Sequence, residues 1–154
     1  MNIIERKVDD GQRAIFDLDE FLSRPLFAHL STASDDGPRE SPVWFLWQNG
    51  VVWIIGGESF PKNVQGEPRV AIGFVDFNPE TGRLHHVGMR GVAAVLPYSQ
   101  ETASLIVQKY CGPAEHWDRR FDDIRSGECA LPMIRFVPKT VVMRDQSYRA
   151  GWRS

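Results

Sequence analysis

Cysteine is scarce: Cys111 and Cys129 are the only two in 154 residues. Two are too few for a disulfide framework and read as small apolar side chains in a reducing compartment, with one Cys111–Cys129 bond the single pairing open to them. Long apolar runs are also missing. Nothing approaches the roughly 18–20 residues that a bilayer-crossing helix requires, and Met1–Lys7 has no apolar stretch of the secretory-signal kind. A cytoplasmic protein with no membrane partner is expected. Charge of one sign is absent too, since 18 Lys and Arg against 20 Asp and Glu leave a formal net charge of −2. Such a balance offers no duplex-binding surface, so no nucleic-acid partner is expected. Internal repeats and low-complexity tracts are lacking as well. What remains is 42% hydrophobic, enough to give residues 1–154 one core and one domain.

What the chain does have is an apolar, aromatic segment around one turn: Arg39-Glu-Ser-Pro-Val-Trp-Phe-Leu-Trp-Gln-Asn-Gly-Val-Val-Trp-Ile-Ile-Gly-Gly. Asn49-Gly50 tolerates positive φ at both central turn positions and predicts a hairpin of residues 39–48 against 51–55. Strands this apolar must be covered on both faces by a closed sheet, a partner subunit or a bound ring. Gly57, Glu58 and Ser59 then lead into a short polar stretch through Lys62 and Asn63. Such a strand end suits an anionic, planar ligand.

Elsewhere the signals are local. Asp17, three residues before Glu20, predicts a capped short helix that Pro25 stops. Phe27 to Ala33 reads as a strand, and Asp35-Asp-Gly-Pro as a turn into the hairpin. Phe60 and Val64, four apart, predict a turn or two of helix within 59–67. Residues 68–77 and 83–96 read as strands, the second bent near Gly88 or Gly91. Ala103, Ile106, Val107 and Tyr110 share a helical face that Gly112-Pro113 ends; a second helix through Ala114, Trp117, Phe121 and Ile124 runs to Gly127. Residues 131–144 form the last strand. The pattern predicts a mainly β fold: a six-stranded antiparallel barrel with a short N-terminal helix and a helical pair before the last strand, since closure removes exposed edges. An open sheet with helices on one face is the alternative.

Taken in order, Leu30-Ser-Thr-Ala, Asp36-Gly-Pro-Arg, Ser41-Pro-Val-Trp-Phe, Asn63-Val-Gln-Gly-Glu-Pro-Arg-Val and Gly88-Met-Arg-Gly-Val-Ala resemble the pyridoxamine 5′-phosphate oxidase-like, FMN-binding split-barrel family. The resemblance covers roughly residues 17 to 142 and implies a split β-barrel. It also implies FMN as cofactor, and a homodimer with its cofactor sites at the subunit interface. Carried over by position, Arg39 is similar to the strand arginine that holds the flavin phosphate. Ser41, Pro42, Val43 and Trp44 match the strand along which the flavin ring lies, and Gly57, Glu58 and Ser59 the phosphate turn. Asn63 matches the first asparagine of the family's Asn-Leu-x-x-Asn-Pro stretch, with Val64 and Glu67 in place of the leucine and second asparagine. The lysine usual three residues earlier falls on Phe60, leaving Lys62 as the nearby cation.

Each residue also has a plainer reading. Arg39 and Lys62 suit a solvated surface, Ser59 suits a helix N-cap, and Trp44, Trp47 and Trp53 suit a core or dimer interface. His85 and His86, adjacent on a strand, point to opposite faces and make a poor metal pair, so no metal site is expected. By alternation Arg90 shares a face with His86. Trp152 and Arg153 are similar to a C-terminal tryptophan and arginine of the true oxidases, but short tails fray and they are left out of the site. No catalytic acid–base pair is evident. The resemblance therefore implies an FMN-dependent oxidoreductase acting on a small-molecule substrate or electron donor, with the chemistry carried by the flavin. Met89 to Tyr98 supplies only Arg90 for a second phosphate, so pyridoxamine phosphate itself is not the expected substrate. An F420- or haem-binding protein, or a non-enzymatic flavin-binding dimer, are the alternatives.

Overall fold

A computed structural model describes residues 1–7 and 16–151. Trp152 and Arg153 lie outside the described residues. Eight strands form one sheet: β1 (Asn2–Lys7), β2 (Ala28–Ser34), β3 (Gly37–Val43), β4 (Leu46–Gln48), β5 (Val51–Ile55), β6 (Arg69–Asn78), β7 (Arg83–Leu96) and β8 (Met133–Asp145). Their hydrogen-bonded order is β3-β2-β6-β7-β8-β5-β4. All these pairs are antiparallel, and β1 adds to β8 in parallel. No ladder joins β3 to β4, so the sheet is open.

This corrects the six-stranded closed barrel. One additional strand is β1, whose Asn2 to Lys7 backbone pairs with Thr140 to Asp145; a short segment that ends in Glu-Arg-Lys carries no alternation of its own. The other comes from residues 39–48, which do not form a single strand. Phe45 turns into the core, where it is fully buried, and the chain before and after it pairs with different partners. β3 joins β2, while β4 makes the predicted hairpin with β5, Gln48 opposite Val51. Asn49 and Gly50 take φ of 55° and 73°, as that tight turn requires.

Among the described residues, four α-helices accompany the sheet: α1 (Leu18–Ser23), α2 (Phe60–Gly66), α3 (Gln100–Cys111) and α4 (Asp122–Ser126). Asp17 Oδ1 accepts the Glu20 N–H at 2.8 Å, capping α1, whose Phe21 and Leu22 are buried in the main core. That core lies between α1, α2 and the inner faces of the sheet. A second core joins Ala103, Ile106 and Val107 of α3 to Trp117, Ile124, Cys129 and Met133. The predicted second helix is broken into two 3-10 turns, Ala114–His116 and Arg119–Phe121, ahead of the five-residue α4. Trp117 is extended between them, and Asp118 restarts the chain by accepting the Arg120 N–H. The irregularity expected in β7 near Gly88 or Gly91 is a register shift between Arg90 and Gly91, with the extra residue, Lys139, on β8. A Cβ at Gly91 would meet the Val137 carbonyl oxygen at 2.2 Å, so the close crossing needs glycine.

Candidate cofactor site

Trp44 and Phe45 alone separate β3 from β4, although these strands end the hydrogen-bonded path at opposite sides. The two sides of the opening in the sheet therefore meet at this link, and its backbone groups lack ladder partners. Two consecutive side chains of α3 supply them. Tyr110 Oη accepts the Phe45 N–H at 3.2 Å and donates to the Leu26 carbonyl at 2.6 Å. Lys109 Nζ donates to the carbonyls of Phe45 (3.1 Å) and Leu22 (2.9 Å) and lies 3.6 Å from the centre of the Phe45 ring. Burial pulls the Lys109 amine down to about 7 and pushes the Tyr110 phenol up to about 12; each shift disfavours the charged form in a poorly solvated place.

Along β3 the register opposes Arg39 to Thr32, Ser41 to Leu30 and Val43 to Ala28. Directly opposed residues share a face, and Ala28, Leu30 and Thr32 are buried. Arg39, Ser41 and Val43 thus form one row on the inner side, ending at the Trp44 link, while Pro42 and Glu40 face outward. Arg39 is exposed and, among the described residues, makes only a 3.4 Å contact with Asp36. Thr32 is the one buried polar side chain among the described residues, and its Oγ1 accepts the Asn63 Nδ2–H at 3.2 Å. This bond ties α2 to the row beside Arg39. Thr32 was not singled out from sequence, but a polar residue on the apolar phase of Ala28-x-Leu30-x-Thr32 was a readable signal.

Lys62, one residue before Asn63, is exposed and opens with it onto a hollow of about 310 Å³ also lined by Ser34, Asp35 and Glu67. Arg39 does not line that hollow, and the two carboxylates oppose an anion there. The turn 56–59 is set by close packing. Gly56 donates its N–H to Pro132 O at 2.6 Å, and a Cβ on Gly57 would meet the Phe60 ring at 2.6 Å. Glu58 is exposed. Ser59 occupies the N-cap position of α2 but makes no capping bond, contrary to its plainer reading, and its hydroxyl is left for another partner.

At the far end of the row, Val43 and Trp44 line a cavity of about 310 Å³ together with Ile55 of β5 and Phe60 of α2. Trp44 stacks flat on Tyr110, with ring centroids 4.5 Å apart. His85 and His86 do face opposite ways. His85 stacks on Phe16 at 4.3 Å and sits 3.6 Å from Asp145, whereas His86 Nδ1 lies 3.1 Å from Arg144 Nη1. Burial lowers both imidazole pKa values, and for His86 the Arg144 charge adds to it. Arg90 is on the outer face, in a groove with Arg69, Lys139 and Thr140.

The edge row of the open sheet thus runs from an exposed arginine to an aromatic link beside an apolar cavity. Residues 17–129 match the pyridoxamine 5′-phosphate oxidase family, and the chain belongs to this FMN-binding split-barrel family. No curated protein matches the chain. Among solved structures, it is similar to a conserved hypothetical protein from Mycobacterium tuberculosis (TM-score 0.70, 19% identity, 88% of this chain and 90% of that one). An F420 reductase gives a TM-score of 0.61 at 23% identity, over 80% and 94%. A putative pyridoxamine 5′-phosphate oxidase from Listeria innocua gives 0.57 at 13% identity, over 80% and 92%. At these identities the likeness concerns the fold.

Proposed function

We propose that this protein is an FMN-dependent oxidoreductase, working as a cytoplasmic homodimer on a small-molecule substrate that is not assigned. The observation that carries the reading is the inner row Arg39–Ser41–Val43. At about 3.4 Å per residue the row runs for about 14 Å, long enough to lie along the chain that joins the phosphate of a flavin mononucleotide to its ring. The donor set fits that group. Arg39 offers a planar fork to the phosphate, and the unpaired Ser59 hydroxyl and Asn63 lie on the neighbouring turn and helix. Lys62 contributes a mobile charge, weakened by Asp35 and Glu67. Ser41, Val43 and Trp44 would flank the ring, with Gly57 and Glu58 at the turn, while Pro42 faces away from it. When bound, FMN supplies the hydride or electron transfer; the protein's residues bind, orient and exclude water.

A second copy is supported by the outer face of β6, where Val75 and Phe77 are 45% and 51% exposed. Large apolar side chains side by side on a sheet face favour burial against a partner. The two free cysteines suit a reducing cytoplasm.

The test is a visible spectrum of protein purified without added flavin, then titrated with FMN. One FMN per chain is expected, with Arg39→Ala weakening binding about tenfold, as for loss of one charge-assisted contact. No uptake in excess FMN overturns the reading, and mass spectrometry of any co-purified ligand separates FMN from a deazaflavin or haem.

A further inference from the structure

The cavity beside Trp44 has a second wall that the cofactor row does not use. Ile106 and Val107 of α3, Phe121 and Ile124 close it from the helical insert between β7 and β8, and Leu131, 39% exposed, stands at its mouth. These five side chains are all apolar. Two charged residues line the cavity, Arg120 and Asp123. The Asp123 carboxylate accepts the Ile124 N–H at 2.9 Å through Oδ1, which holds it at the start of α4, and it forms no ion pair with Arg120. The Arg120 guanidinium has no carboxylate partner among the described residues and lies 4.9 Å over the Phe121 ring. A space of about 310 Å³ is at the small end of ligand pockets, which combine apolar walls with a few placed polar groups.

We infer that this cavity binds a planar aromatic molecule of one or two rings carrying a single acidic group, with the rings against the side chains of Val43, Ile55 and Ile106, beside the contacting Trp44 and Phe121 rings (centroids 5.6 Å apart), and the anion at Arg120. Flat apolar walls reward a flat ligand by burial and aromatic contact. A fixed fork of donors at one end selects a carboxylate over a neutral group of the same shape. That this ligand is the redox substrate rests on the flavin reading above, since Val43 and Trp44 border both the cavity and the row; the binding itself does not.

The test uses 1-naphthoate and its neutral counterpart 1-naphthalenemethanol, followed by calorimetry on the full chain with and without FMN. Saturable binding of one 1-naphthoate per chain is expected, at least tenfold tighter than the alcohol. Leu131→Trp, which fills the mouth from an exposed position, should weaken 1-naphthoate at least tenfold. Arg120→Gln should weaken 1-naphthoate to the level of the alcohol and leave the alcohol unchanged. Non-saturable binding, or equal affinity in the natural chain and both variants, overturns the inference; so does an alcohol that binds as tightly as the acid. FMN uptake read from the spectrum of the same variants should be unchanged. Loss of naphthoate binding in a chain that takes up FMN strikes this inference alone, and naphthoate binding without FMN uptake strikes only the flavin reading.

Discussion

The phenol ring of Tyr110 lies parallel to the indole of Trp44, their planes 2° apart, while its hydroxyl bridges the Phe45 N–H and the Leu26 carbonyl. One side chain thus completes the hydrogen bonding of the strand break and sets the aromatic wall of the cavity. Helix α3 is in this way part of the site, although none of its residues lies on the Arg39 row.

Tyr110→Phe keeps the ring stack and removes the bridge. Two part-buried backbone groups, the Phe45 N–H and the Leu26 carbonyl, lose their partner, which costs about 1–3 kcal/mol. A lower urea midpoint with an unchanged slope is expected in equilibrium unfolding; an unchanged midpoint would mean that water satisfies the break.

Lys109 gives stability a particular pH dependence. Its amine titrates near 7 when folded and at the ordinary 10.5 when unfolded, so between those values the unfolded chain holds a proton that the folded chain has released. Stability therefore rises with pH from about 7 towards 10.5. Tyr110, raised from 10.0 to about 12, acts in the opposite sense above pH 10, so the window from 7 to 10 belongs to Lys109. In Lys109→Met the rise should flatten, read as urea midpoints at pH 7, 8.5 and 9.5. A variant with the same slope as the natural chain would show that Lys109 stays protonated when folded.

Thr32→Val removes the acceptor for Asn63 from a buried position. About 1 kcal/mol of stability should be lost. FMN affinity should fall as well, because the amide of Asn63 is then free to turn away from the row. FMN titration beside thermal unfolding separates the two effects, and unaltered FMN affinity would assign Thr32 a purely structural part.

The glycines of the turn and of α2 should respond in opposite ways. A Cβ at Gly56 would lie 2.7 Å from the Pro132 carbonyl oxygen, whereas at Gly66 nothing stands within 4 Å. Gly56→Ala is expected to destabilise by several kcal/mol, in the manner of an overpacked core. Gly66→Ala should be neutral or stabilise by up to about 1 kcal/mol. Thermal unfolding of the pair checks the contrast.

Much of this protein was legible one short window at a time. The Asp17 cap, the Asn49-Gly50 turn and the Ala103–Tyr110 helical face depend on neighbours a few positions away, and sequence alone determined them. The strand count, the open sheet and the broken second helix were decided only in three dimensions. Phe45 leaves its strand because a core pocket and the side chains of Lys109 and Tyr110, some 64 and 65 residues further on, accept it. β1 exists because β8 offers a free edge. Thr32 becomes a hinge of the site because Asn63, 31 residues away, reaches it. Such partners leave no local period in the chain, since a hydrogen bond or a packed ring is satisfied by proximity in space and not by spacing in sequence.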